Sequence, residues 1–278
     1  MKKNIIKITK NSIRNVSIFS ELFHYRKLIF IIFNRDFKSN YKQTLLGPLW
    51  VVLNPVITSL VFTVVFSRVG KISTDNIEPF LFYFSALVIW NSFQNNTIQI
   101  SNFYNVSAEY YKKLYFSRLI IPMSYLLNNS LRFLIQFLIL LIFCYLVYDV
   151  KISVNLISLF GLIFIYVYCS LFALGIGLIL NSFSYIYKDL NYFIIYGLTI
   201  WMYLSPIAYP VSQAPLKLKT ILFLNPMTPI IELFRFLIFG VGSHDITFLL
   251  YSSSVLIIFL IIGILRFNKT EKNFIDVV

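Results

Sequence analysis

Apolar residues run in long blocks separated by short polar stretches. Six of the blocks approach the roughly 20 residues that a helix needs to cross a bilayer. They cover residues 49–68, 80–97, 119–148, 154–180, 192–206 and 246–267. The pattern predicts an all-α polytopic membrane protein with six transmembrane helices. The third and fourth blocks are long enough to tilt or to extend beyond the hydrocarbon. The second is continuously apolar only up to Trp90, so Asn91, Gln94 and Asn95 must face protein or water if it is to span.

Two further segments are apolar without being spans. Ahead of the first block, Leu22, Tyr25, Ile29, Ile32, Phe33 and Phe37 recur at helical spacing, with Arg26, Lys27, Arg35 and Lys38 interleaved. This predicts an interfacial amphipathic helix over 22–38 on the cytoplasmic leaflet, its basic groups meeting anionic headgroups. Between the fifth and sixth blocks, Pro206, Pro210, Pro215, Pro226 and Pro229 cut an apolar stretch into pieces too short to cross. Short helices around 217–224 and 230–239 would form a re-entrant outer hairpin, tolerated at that depth only against protein or a water-filled cavity. The alternative, a seventh span, would place the basic C-terminus outside.

Charge orients the chain. With the N-terminus inside, the cytoplasmic segments hold the ten basic residues up to Lys42, then Lys112, Lys113, Arg118, Lys188, Arg266, Lys269 and Lys272. The outer segments hold Arg68, Lys71, Lys151, Lys217, Lys219 and Arg235. Basic residues concentrate on the cytoplasmic side, so both termini are expected there. A net charge of +13 would suggest nucleic acid for a soluble chain, but 58% hydrophobic and 13% charged residues put the bilayer first and make nucleic acid no partner. The first twenty residues lack the apolar core of a signal peptide and are expected to stay on the protein.

Catalytic signatures are missing from the sequence. Gly70 is the only glycine followed by lysine, and it lacks the remaining elements of a phosphate-binding loop, so no ATP site of that type is expected on this chain. No GxSxG, HExxH or CxxC occurs, and the acidic residues are scattered. Cys144 and Cys169 lie in apolar runs as small core residues, and His24 and His244 form no cluster, so no metal or cofactor site is expected. Glu232 and Arg235, at i and i+3, invite an ion pair rather than catalysis.

Polar groups at depth are the unusual feature. Tyr125, Asn129, Arg132 and Gln136 share one face of the third span, and Arg132 lies roughly 20 Å along the axis from Arg118. That stripe reads either as a hydrated path or partner contact, or as a hydrogen-bonded strut between helices. Aromatics are abundant, with 19 Tyr and 29 Phe. Most are expected to face lipid or the interface, though a sugar polymer also slides well over aromatic faces.

Residues 35–55, RDFKSNYKQTLLGPLWVVLNP, resemble the opening motif of the permease subunit of bacterial polysaccharide ABC exporters. KKLYFSRLIIPMSYLL at 112–127, YKDL at 187–190, SPIAYP and NPMTPIIELFR between 205 and 235, and the C-terminal RFNKTEKNFIDVV follow in the same order. YKDL departs from that family's usual Arg-Asp pair by placing Lys188 before Asp189. The resemblance covers nearly the whole chain and implies a single transmembrane domain over 1–278. It implies a homodimer of permeases in the bacterial inner membrane, joined by two copies of an ABC ATPase that holds the ATP and magnesium. The cargo would be a lipid-linked polysaccharide such as O-antigen, capsule or teichoic acid. The alternative is a drug or lipid exporter permease of the same superfamily, which has less reason to carry the 35–55 and C-terminal motifs.

The resemblance also assigns roles. Arg35, Asp36, Tyr41 and Lys42 would form a cytoplasmic entrance, and residues 105–118 a helix coupling to the ATPase through Asn105, Glu109, Tyr110, Tyr111, Lys112 and Lys113. The first and fifth spans would line the dimer axis, which nominates Trp50, Phe62, Phe66, Tyr196, Trp201 and Tyr203 for the substrate path, with Arg132 beside them. The hairpin 206–240 would be the outer gate, with Pro206, Asn225, Pro226, Glu232 and Arg235.

Overall fold

The computed structural model describes residues 25–41, 45–104, 119–149, 156–187, 189–242 and 245–274. Among them the chain is helical, without strands. The helices are α1 (Arg26–Tyr41), α2 (Trp50–Phe62, continued by a π-helical Thr63–Val69) and α3 (Pro79–Ser101). Next come α4 (Ile120–Ile142, continued by a π-helical Phe143–Val147), α5 (Leu156–Ser184) and α6 (Leu190–Tyr203). α7 (Leu216–Leu224), α8 (Thr228–Phe239) and α9 (Ile246–Phe274) complete the bundle.

Among the described residues, four stretches are long and apolar enough to cross a membrane: Gly47–Val69, Ile120–Val147, Ser158–Ser184 and Ile246–Thr270. The other two expected spans fall short for different reasons. α3 has 23 residues, about 34 Å at 1.5 Å per residue, but its second half carries Asn91, Gln94, Asn95, Asn96 and Gln99. α6 has 14 residues, about 21 Å, against a hydrocarbon core of about 30 Å.

α3 is the centre of the bundle. From Phe80 to Trp90 no residue is more than 3% exposed, because α2, α4, α5, α6 and α8 all pack against it. A helix apolar all round is covered either by lipid or by protein, and this stretch is covered by protein. Pro79 starts it at a position where the missing N–H is harmless.

Glycines set the closest crossings. A Cβ on Gly263 of α9 would lie 2.5 Å from the Gly175 carbonyl of α5, and a Cβ on Gly177 would meet Ile100 of α3 at 2.7 Å. α5 is thus held between α9 and α3 at backbone contact, a packing that lipid-embedded helices favour because dispersion replaces the hydrophobic drive.

α2 contains Pro55, whose ring nitrogen cannot donate to the carbonyl of Val51. Gln136 of α4 supplies the missing donor, its Nε2 lying 2.9 Å from that oxygen. This assigns one member of the polar stripe on α4 as a strut. α1 also departs from the simplest interfacial picture. Ile29 and Ile32 are buried in a cluster with Phe103, Ile120, Ile121 and Phe267, while Phe30 and Ile31 are more than 60% exposed. The helix docks on the protein through one stripe and offers the other outward.

Replacing Gln136 by Leu is expected to destabilise the protein by about 1–3 kcal/mol, the cost of an unsatisfied buried carbonyl. Adding Pro55→Ala restores an N–H to Val51 and should recover most of the loss in the thermal unfolding midpoint in detergent. A double variant no more stable than Gln136→Leu alone would refute this pairing.

Candidate functional site

Each of the five residues nominated on the hairpin takes part in a hydrogen bond, in separate groups around Arg235, Asn225 and Pro226. Arg235 of α8 is 1% exposed, and its Nη1 donates to the Pro206 carbonyl at 2.7 Å and to Glu232 Oε1 at 3.2 Å. Its Nη2 donates to the carbonyls of Phe82 at 3.4 Å and Ile207 at 3.3 Å, and the guanidinium stacks 3.5 Å over the Phe82 ring. A buried ion pair is tolerable only when further hydrogen bonds replace the lost water, and here carbonyls from α3 and from the turn after α6 do so. The i, i+3 pairing expected from sequence is present, buried at both ends.

Asn225 holds the other end of the hairpin. Its Oδ1 accepts from Trp201 Nε1 and from the Met227 amide, both at 3.0 Å, and its Nδ2 donates to Ser205 Oγ at 2.9 Å. The Pro226 carbonyl accepts from Ser252 Oγ of α9 at 2.6 Å. With that proton committed, Tyr168 of α5 donates its hydroxyl to Ser252, also at 2.6 Å. α8 ends on Gly240 at φ 72°, the left-handed cap that glycine adopts without strain. The hairpin is therefore fastened to α3, α6 and α9, and to α5 by way of Ser252.

The nominated path residues divide by position. Trp50, Tyr196 and Tyr203 are 50%, 68% and 51% exposed on α2 and α6. Phe62 is buried, its ring 5.1 Å from Phe66, 5.9 Å from Tyr83 and stacked 6.4 Å from Tyr203, so it joins α2 to α6. Phe66 is half-buried in the same seam. Trp201 packs into the core against Trp90, Phe93 and Phe172 at 5.3–6.3 Å. α6 buries only Ile194 and Leu198, one stripe, so Tyr192 and Phe193 are also exposed beside Tyr196. Sequence reasoning missed these two, because a continuously apolar helix gives no period from which to read its anchored face. Arg132 is half-buried on α4.

The polar groups on α3 that matter for packing neighbour those singled out from sequence, Asn96 directly after Asn95 and Gln99 one turn on. Asn91, Gln94 and Asn95 are half-buried, whereas Asn96 is fully buried. Asn129 Nδ2 donates to Asn96 Oδ1 at 2.7 Å and to Gln99 Oε1 at 3.1 Å, bridging α4 to α3. Asn181 and Ser184 of α5 both donate to the Ser101 carbonyl, and Asn191 of α6 donates to Asn102 Oδ1 at 3.0 Å. Asn129 and Gln136, two of the four stripe residues on α4, are thus helix-to-helix struts.

At the expected entrance, Arg35 pairs with its neighbour Asp36, Nε to Oδ1 at 2.8 Å, and Tyr41 closes α1. Lys42, Lys188 and the whole coupling segment, with Asn105, Glu109, Tyr110, Tyr111, Lys112 and Lys113, lie outside the described residues. Among the described residues no three His, Cys, Asp or Glu side chains gather as a metal would require. Cys144 and Cys169 are free thiols buried in the core.

The profile of the family described as ABC-2 type transporter matches residues 27–239. Among curated proteins, the O-antigen export system permease protein RfbA of Klebsiella pneumoniae is 27% identical over 251 residues, 90% of this chain and 94% of that protein. A protein of the same description from Myxococcus xanthus is 23% identical over 263 residues, 94% of this chain and 99% of its own length.

Arg235→Met is expected to cost about 3–5 kcal/mol, because Glu232 is then left buried without its partner. Glu232→Leu combined with Arg235→Met should be more stable than Arg235→Met alone, since no buried charge remains. Unfolding midpoints in detergent check both; additive losses would mean that the two side chains do not act as a pair.

Proposed function

The chain belongs to the ABC-2 type transporter family, and from that premise we propose that it is the permease subunit of an exporter of lipid-linked polysaccharide, driven by ATP hydrolysis on a separate ATPase. The observation that carries this reading is the end-to-end likeness to proteins named O-antigen export permeases. The ordered motifs from residue 35 to the C-terminus support the same cargo class, of which O-antigen, capsule and teichoic acid are the members considered.

In this reading the chain crosses the inner membrane six times with both termini in the cytoplasm. α3 is a span shielded from lipid by its neighbours, which allows it the amides that a lipid-facing helix would not carry. α6 is the short fifth span, and α7 and α8 form a re-entrant hairpin on the outer side. Two copies of the chain assemble with two ATPase subunits, which hold ATP and magnesium and press on the 105–118 segment.

The aromatic face of α2 and α6 suits a polymer path. Exposed rings at Trp50, Tyr196 and Tyr203 offer broad apolar contact to sugar rings without fixing them by directional hydrogen bonds. A polymer held weakly at many faces advances, whereas one held tightly at a single site stalls. Arg35 and Asp36 stand at the inner end, and the fastened hairpin covers the outer end. A drug exporter of the same superfamily would use a closed apolar pocket for each molecule instead.

Deleting the chain together with its ATPase should abolish polymer at the cell surface while polymer accumulates inside, and surface display should return only when both are supplied. Tyr196→Ala should lower surface polymer without changing the unfolding midpoint, whereas Phe62→Ala should lower both, because Phe62 also holds α2 to α6. Normal surface polymer in the deletion strain would remove the proposed cargo.

Single cysteines at Ser73, Ser153 and Ser212 should react in intact cells with a thiol reagent that does not cross the membrane, and cysteines at Ser107 and Thr270 should not. Labelling at Thr270 would overturn the six-span topology.

A further inference from the structure

The consecutive helices α4 and α5 do not pack along each other. Both lean on α3 instead, and an open groove of about 250 Å³ runs between them. Its floor is a row of rings: Phe133 stacks on Tyr166 at 4.6 Å and on Phe137 at 6.0 Å. Its walls include Leu134, Leu159 and Ile163, each 44–54% exposed. One end is closed by the Tyr166 hydroxyl, which reaches across to donate to the Leu126 carbonyl at 3.1 Å. That bond satisfies the hydroxyl, Ser130 in the lining turns its own to the Leu127 carbonyl at 2.7 Å, and the surface left open to the groove is apolar.

Size and surroundings decide what fills such a space. Water is unsuited, because a buried water needs two to four polar partners and the groove presents none. A slender hydrocarbon fits, since a dry apolar cavity of about 150 Å³ already binds benzene. The groove is continuous with the outward faces of α4 and α5, two of the helices apolar and long enough to span, so the bilayer's own acyl chains reach it directly.

We propose that this groove is a binding site for one acyl chain of a bilayer phospholipid, which fills the gap between α4 and α5 and completes their packing. The chain lies against Phe133, Phe137 and Tyr166, and recovers for those rings the dispersion contacts that an empty groove forfeits. The site rests on α4 and α5 facing lipid, and not on the nature of the cargo.

The test is an electron-density map of the full-length protein in nanodiscs of a phospholipid whose acyl chains carry bromine. Discrete bromine signal in the groove, above that along the exposed faces of α2 and α9, is the expected result. The pair Leu134→Phe and Ile163→Phe, which fills the groove, should lose that signal, while Leu138→Phe, an exposed α4 position outside the groove, should keep it. Signal no stronger than elsewhere around the protein would reduce the groove to ordinary lipid solvation and overturn the proposal. A side chain of another subunit seated there would do the same. The wild-type map decides the matter even if the filled variant does not fold.

Discussion

A polar group inside hydrocarbon has no water to turn to, and this one constraint shapes the molecule. The amides and the ion pair that join its helices find protein partners inside the bundle. Asn129 bridges to Asn96 and Gln99, Gln136 covers the carbonyl that Pro55 leaves open, and Arg235 gathers Glu232 and three backbone oxygens. Several of these bonds end on α3 or begin there. The polar half of that helix could not face lipid, and the shell of α2, α4, α5, α6 and α8 around it removes the need.

The same fastening divides the protein into parts of different freedom. The α7–α8 hairpin is joined by side-chain hydrogen bonds to α3 through Arg235, to α6 through Asn225 and to α9 through Ser252. Moving it alone would strand a buried guanidinium and a buried carboxylate together, so the hairpin is built to travel with α3. α6 is the contrasting element: it buries Ile194 and Leu198 and is anchored near its ends through Asn191 and Trp201, while Tyr192, Phe193 and Tyr196 leave one side open. If the outer end of a polymer path opens, the physical chemistry favours relative movement of whole helices over a flap hinged at the prolines.

Much of this architecture is legible in the sequence, because a spanning helix is written as an uninterrupted block. The apolar blocks coincide with α2, α3, α4, α5, α6 and α9 to within a few residues, and the proline-broken stretch folds as the two short helices expected of it. The Glu232–Arg235 pair follows from spacing alone. What the sequence withholds is facing. In a soluble helix the polar side marks the outside, but α6 is apolar on every side, so the stripe that docks and the rings that remain open look alike. For the same reason Trp201 is indistinguishable from Tyr203 until the core around Trp90 is seen. On α3 the nearest amides to the apolar run drew attention, whereas Asn96, directly after Asn95, and Gln99, one turn on, face α4. The residues that bond to backbone carbonyls, such as Gln136 to Val51, are invisible without knowing which carbonyl lacks a donor.

The central claim is that α3 and the hairpin form one body, stapled by Arg235. Hydrogen–deuterium exchange of the protein in lipid nanodiscs measures this directly, through the protection of backbone amides in the two elements. The account predicts that residues 230–238 of α8 exchange as slowly as residues 80–93 of α3. Rapid exchange along α8 while α3 stays protected would show a hairpin that opens on its own, and would contradict it.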